Sequence, residues 1–504
     1  MASSVFARPE RNEPTDTTTS REALALAVVA GPVLAALAVA AAPARFVSRV
    51  ATVGALVSAA AAGALTVLVL VEPGRTLVEA WLVVDAAGAL LVGVIGAVGL
   101  ASALVSPAYL AGASTGIVRV TRRPRTYYAL LFGFWAVLAA VPLVGNLGGA
   151  WLLVEATTAV SALLVGFSGR PRALEAGWKY LILTSLGLGI ALLGIVVLAA
   201  ASGHGGLDAL AWRDLGAVRA SHNAVLVAYL LILAGLASKI GWAPVHNWLP
   251  DAHSEAPAPV SALLSAALLP AVLLVAWRTS HALAPVLGGR AAGSVLVAFG
   301  LVSLAVAVPF LWRPLPWKRL LAYSSLEHMG VLALGIGFGT PLALAGVAIH
   351  VAGHALAKAL GFYAATPLLG HEPRAAENAV RGIGRSQPRL GAVLGISLGA
   401  LSGLPPSPLF ASEVLIVAGG FAAHRPWAAA AAAALLALGF LGLAQALLEL
   451  TAGQGRQRDR TTAPGLRGVV VLAGITLACL LGLTAAALWL PGSELAQALV
   501  RGIR

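Results

Sequence analysis

Apolar runs of about 20 residues recur from one end of this chain to the other, each long enough to cross roughly 30 Å of hydrocarbon. No other feature constrains the fold as strongly. Composition agrees: 59% of the 504 residues are hydrophobic and 11% charged, whereas a soluble domain carries about 25% charged residues. A soluble protein this apolar would have no means of covering its surface. The single cysteine, Cys479, lies in an apolar run. It excludes a disulfide framework and any cysteine-ligated metal or iron–sulfur cluster.

Run length gives about fourteen spans, at 23–43, 50–71, 80–104, 127–146, 148–168, 178–201, 222–245, 256–277, 293–312, 319–339, 342–369, 390–420, 427–451 and 467–490. The twelfth is too long for one straight helix and contains Gly403, Pro405, Pro406 and Pro408, so a break is expected in its middle. Met1 to Arg21 reads as a disordered polar tail. The run from Ala23 to Pro43 reads as a first helix, not a cleaved signal, because no polar mature domain follows. There is no soluble domain and no long linker.

With loops numbered by the spans they join, the bases alternate. Loop 1–2 has Arg45 and Arg49; loop 3–4 has Arg119, Arg122, Arg123 and Arg125; loop 5–6 has Arg170 and Arg172. Loop 9–10 has Arg313, Lys318 and Arg319; loop 11–12 has Arg374, Arg381, Arg385 and Arg389; loop 13–14 has Arg456, Arg458, Arg460 and Arg467. All fall on one face, which the positive-inside rule makes cytoplasmic, with both termini outside. The net charge of +13 is thus loop bias, and nucleic-acid binding is not expected.

The chain holds four lysines against 29 arginines: Lys179, Lys239, Lys318 and Lys358. Lys239 and Lys358 lie deep in spans. Lys318 reads as a topology charge, and Lys179 sits at the start of the sixth span. Arginine keeps its proton at any accessible pH, whereas a buried lysine can load and unload one. A charge at the bilayer centre costs roughly 3 kcal/mol or more, so intramembrane ionisable residues point to function. They are Asp85, Glu155, Lys239, Glu327, His328, His350, His354, Lys358 and Glu413, with Glu449 near a helix end.

His350, His354 and Lys358 are spaced i, i+4, i+8 and share one helix face. An HxxxH pair can bind zinc, but the sequence suggests no third ligand, and a lysine on the same face opposes a metal. A hydrogen-bonded proton path fits better, because imidazole both donates and accepts. Glu155 is followed by Thr157 and Thr158, whose hydroxyls suit the same path. Ion pairing of Glu155 with a lysine is the structural alternative.

The stretch Gly235–Ser265, GLASKIGWAPVHNWLPDAHSEAPAPVSALLS, closely resembles the signature of the antiporter-like subunits of respiratory complex I, multisubunit cation/proton antiporters and membrane-bound hydrogenases. Further matches are KRLLAYSSLEHMG from Lys318, HVAGHALAKALGF from His350, LSGLPPSPLFASE from Leu401 and LLVEATTAVSALLVGF from Leu152. The glutamate of SSLEHMG and the wording EATTAVSALLVGF look most like component F of hydrogenase-4-type complexes.

The resemblance implies an all-α membrane protein with two inverted five-helix repeats and broken helices 7 and 12. The division would be a tail at 1–21, helices 1–3 at 22–126, a first repeat (helices 4–8) at 127–278, a second (helices 9–13) at 279–452, and helix 14 with a tail at 453–504. It implies that Glu155, Lys239, Lys358 and Glu413 carry protons, continued by Glu327, His328, His350 and His354. Lys179, Asp85 and, from the long motif, His246, Asp251 and His253 are candidate supporting residues. Many members have a lysine in helix 8, where this chain has Pro270, which puts a direct hop from Lys239 in doubt. The implied function is a proton-translocating, non-redox subunit of a respiratory or hydrogenase-type oxidoreductase complex in a bacterial or archaeal cell membrane. No cofactor, metal or active-site chemistry is expected in this chain. Expected partners are other membrane subunits, a peripheral redox arm and the lipid bilayer, with protons as cargo and sodium as the second candidate. A sodium/proton antiporter or inorganic-carbon uptake subunit and a non-pumping scaffold are the competing readings.

Overall fold

The computed structural model describes residues 16–73, 76–114, 124–202, 210–218, 220–367, 381–453, 465–487, 490–494 and 497–498. Of the tail expected at 1–21, residues 1–15 lie outside these, and Asp16 already opens the first helix. Arg119, Arg122, Arg123, Arg374, Arg456, Arg458 and Arg460 lie outside them too.

Helices α1 (Asp16–Ala41), α2 (Val47–Val71), α3 (Ala86–Ser114), α4 (Pro124–Ala140), α5 (Leu147–Val165) and α6 (Pro171–Ser202) supply the first six expected spans. The third starts later than expected, because Leu77–Val78 and Val83–Val84 pair as a small antiparallel hairpin. The seventh span ends early. Helix α7 (His222–Ile240) begins on the Ser221 cap, which accepts from the Ala224 amide, and stops at Gly241, where φ is +79°. Only glycine takes that left-handed turn without strain, and the turn closes the helix. The stretch after it, read from the sequence as a loop, contains a second helix, α8 (Trp248–Glu255).

The eighth span is α9 (Ala258–Leu263), one π-helical turn (Leu264–Leu268) and α10 (Leu269–Leu287). Helices α11 (Gly289–Leu311), α12 (Trp317–Phe338) and α13 (Pro341–Tyr363) follow. The twelfth span breaks as expected into α14 (Pro388–Leu401) and α15 (Pro408–Ala422), with Gly403 at φ +70° between them. Helices α16 (Pro426–Ala452) and α17 (Leu466–Ala486) complete the chain. Among the described residues, 13 continuous helical stretches are long and apolar enough to cross a membrane, and the two halves of the broken span are shorter.

The inner and outer helices differ as lipid solvent requires. In the spans at Ala258–Leu287 and Trp317–Phe338, 94% of the residues in an apolar 18-residue stretch are buried, against 22% in α16 and in α17. The inner pair carry Arg278, Glu327 and His328, and the rim helices present apolar side chains outward. The fold brings the ends of loops 5–6 and 9–10 together: Arg170 pairs with Glu255 at 3.2 Å and Arg319 with Asp251 at 2.9 Å. Both loops read as basic-face loops, and they do share a face.

Candidate functional site

Two fully buried lysines anchor the interior. Lys239 ends α7, and small residues bring α6 beside it: a β-carbon on Gly235 would strike the Gly187 carbonyl and one on Gly187 the Ser238 hydroxyl. Such close approach is how helices associate in lipid. It sets the Lys239 ammonium against Tyr180, to whose hydroxyl it donates and whose ring centroid lies 4.5 Å away. The ammonium also donates to Thr158 Oγ1 at 2.6 Å. Tyr180 continues to Ser161 at 2.8 Å, and Ser161 to the Thr157 carbonyl at 2.5 Å. Glu155 is half-buried. It takes a 2.6 Å hydrogen bond from Ser185 and leaves its second oxygen without a partner among the described residues. The expected Glu155–lysine ion pair is absent among the described residues; hydroxyls stand in its place.

Lys358 donates to the Leu321 carbonyl at 2.6 Å and to the Ser324 hydroxyl. One turn before it stands His354, then His350, as the spacing required. Helix α12 presents His328 to them: its Nδ1 lies 3.1 Å from His350 Nε2, and its ring centroid is 5.2 Å from that of His354. His350 Nδ1 meets Ser412 Oγ of α15 at 2.8 Å. Glu413, the next residue, is half-buried beside Gly403 in the break. Glu327 is buried, with Oε1 where a β-carbon of Gly439 would fall and Oε2 without a partner among the described residues. Donor atoms of His328, His350 and Glu413 all lie within 4.8 Å of one another. The fold thus brings to the two histidines a third group of a kind able to ligate a metal, which the sequence did not suggest.

Between the two lysine groups lies α8. The Trp248 ring packs at a tilt with its centroid 4.7 Å from that of Tyr180, and its indole N–H donates to the Ser238 carbonyl at 2.6 Å. His253, fully buried, has its ring 6.1 Å from Trp248 and 5.6 Å from Phe362 of α13, and both ring nitrogens lack partners among the described residues.

The remaining candidates do not join this interior line. Lys179 is half-exposed and pairs with Glu175 at 2.6 Å and Asp251 at 3.5 Å, so it and Asp251 belong to the ionic rim. His246 is half-buried in the segment joining α7 to α8. Asp85 caps α3, accepting from the Gly88 amide at 2.6 Å, and forms a buried 3.0 Å ion pair with Arg278 of α10. Lys318 is no mere topology charge: it donates to the Ser254 and Ala256 carbonyls at 3.0 and 2.5 Å, capping the C-terminus of α8.

A family described as NADH:quinone oxidoreductase/Mrp antiporter, transmembrane region, matches residues 144–439. A hydrogenase-4 component F homolog of Methylacidiphilum infernorum is 36% identical over 336 residues, 66% of this chain and 69% of that protein. The chain belongs to this antiporter-like membrane subunit family. NADH-quinone oxidoreductase subunit N of Desulforudis audaxviator is 31% identical over 369 residues, 69% of each chain. In the Mrp complex of a Dietzia species a chain superposes with TM-score 0.79 at 20% identity, covering 96% of this chain and 98% of that one. A chain of Thermus thermophilus respiratory complex I gives 0.78 at 22%, covering 95% and 100%. Those two likenesses show the fold.

Where the resemblance leads one to expect a lysine in helix 8, this chain has Pro270. Pro270 lines an apolar cavity with Leu273, Leu274, Leu90, Leu91 and Val351, surroundings that offer a proton no polar foothold. Sequence reasoning missed Tyr180, Ser324, Ser412 and Arg278. Tyr180 carried a faint signal as one of only seven tyrosines in the chain. Arg278 was hidden because its helix runs ten residues past the expected span end.

Proposed function

We propose that this antiporter-like subunit carries protons across a cell membrane within a hydrogenase-type complex, driven by a redox reaction in a peripheral arm. One observation carries the reading: Lys239 and Lys358 are fully buried, yet every hydrogen-bond acceptor they have is neutral. The ion pairs of the described residues leave both out. A lysine kept only as a structural counter-charge would hold a carboxylate. These instead hold hydroxyls and a backbone carbonyl, with His354 one turn before Lys358 on the same helix, and lysine, unlike arginine, can pass its proton on.

In this reading Glu155 loads Lys239 through Ser185, Thr158 and Tyr180. His253 stands where the helix 8 lysine is missing and relays through water to Lys358. The proton then follows His354, His328 and His350 to Glu413, with Glu327 tuning the exit. Redox events alternate which groups are charged. Likeness to a hydrogenase-4 component F homolog favours a hydrogenase-like partner over an antiporter assembly, and the multi-subunit complexes that hold its structural neighbours support flanking membrane subunits. Both termini face outside; accessibility of a C-terminal tag in right-side-out vesicles tests this, and protection would refute it. The function is tested by purifying the assembly on a tagged chain, identifying its subunits, and following acidification of proteoliposomes when the redox donor is added. Turnover without proton movement would refute the reading.

A further inference from the structure

We propose that His328, His350 and Glu413 form a binding site for one zinc-class divalent ion, which competes there with the proton. The binding stands on geometry alone; the competition rests on the proton-path reading. Zinc bonds imidazole nitrogen at about 2.0–2.1 Å, which puts two nitrogens of a tetrahedral site about 3.3 Å apart. His328 Nδ1 and His350 Nε2 are 3.1 Å apart, and one ligand-capable atom from each of His328, His350 and Glu413 lies within 4.8 Å of the other two. The supporting contacts have the form that metal sites use. Ser412 holds the far nitrogen of His350 at 2.8 Å, orienting the ring so that Nε2 faces His328. His354 is fully buried, both its nitrogens lack partners among the described residues, and its ring lies 5.2 Å from His328 and 6.4 Å from His350. It offers a further imidazole for the fourth position.

Two imidazoles and one carboxylate suit zinc, whereas magnesium and calcium take oxygen ligands. Glu413 is half-buried at the α14–α15 break, so the cluster is not sealed at that end. Lys358, one turn beyond His354, is the charge that opposes a dication. Bound zinc would hold both imidazole nitrogens that otherwise share a proton, and the path would stop there.

The test uses the whole purified complex, washed with chelator and titrated with zinc sulfate, and reads bound metal by mass spectrometry and ligand type by X-ray absorption. The wild type should bind one ion more than His350→Gln or Glu413→Gln. Both variants should lose at least roughly tenfold in affinity, and the wild-type spectrum should show imidazole ligation. Ser412→Ala keeps all three ligands and should weaken binding less. Lys358→Met should tighten it, a gain that a misassembled protein would not show. No zinc above the washed background, or equal binding by wild type, His350→Gln and Glu413→Gln, overturns the site. If those two variants fail to assemble, unchanged affinity in both Ser412→Ala and Lys358→Met overturns it. Proton uptake is then measured with zinc present. Half-inhibition in Ser412→Ala should shift by the same factor as its affinity. Zinc that binds with this variant pattern yet leaves proton uptake unchanged overturns the competition while the site stands.

Discussion

Lys239 Nζ lies 2.6 Å from Thr158 Oγ1, while Glu155, three residues earlier on the same helix, turns to Ser185. The acid and the base expected to pair are thus each held by a hydroxyl. Removing the lysine therefore strands no ion-paired carboxylate. Lys239→Ala should assemble, at a cost smaller than the about 3–5 kcal/mol of a broken buried ion pair. Lys239→Arg keeps the charge but not the capacity to release a proton. Both should abolish proton uptake by proteoliposomes at equal assembled protein. Wild-type uptake by the arginine variant would leave Lys239 a structural group.

Asp85 and Arg278 show what a structural pair looks like here. They meet at 3.0 Å with side chains 4% and 2% exposed, and Asp85 also caps α3. Arg278→Met should destabilise the complex by about 3–5 kcal/mol, since it leaves a buried carboxylate uncompensated. Adding Asp85→Asn should recover much of the loss. Thermal unfolding in detergent measures both, and a single variant as stable as wild type would refute the assignment.

The lysine capping α8 makes a smaller claim. Lys318 holds two carbonyls, so Lys318→Met should lower thermal stability by up to about 2 kcal/mol. Lys318→Arg should retain most of it, because a fixed charge suffices. Equal loss in the two would indicate a role for the proton.

Span number and the two breaks were legible because lipid imposes a length on each apolar run, and glycine and proline mark where it fails. The buried lysines and the HxxxH face were legible because charge in an apolar run is costly. What was hidden depended on helix-to-helix approach. No spacing rule brings Glu413 to His350 across 63 residues, or Tyr180 to Lys239. Nor did the sequence show that the PDAH segment folds as a buried helix. WLPDAHSE is polar enough to read as loop, and it is buried because α7 ends at Gly241 and turns it inward against α6 and α12.

That buried segment carries the last prediction, at His253. Pro270 leaves helix 8 without a titratable group at that position, and an apolar cavity surrounds it. His253 lies between Trp248, which packs against the tyrosine of the Lys239 group, and Phe362, four residues past Lys358. Its ring nitrogens make no well-formed hydrogen bond among the described residues, the Leu249 backbone one turn earlier being a weaker contact, and a poorly paired buried polar group costs about 1–3 kcal/mol. His253→Phe removes that cost, fills similar space beside two aromatic rings and cannot carry a proton. It should therefore assemble at least as well as wild type, yet lose most proton uptake. A histidine kept only for packing predicts the opposite, full uptake with phenylalanine. Comparing uptake with redox turnover in the same proteoliposomes separates a blocked relay from a damaged complex. Uptake at the wild-type rate per turnover would remove His253 from the path.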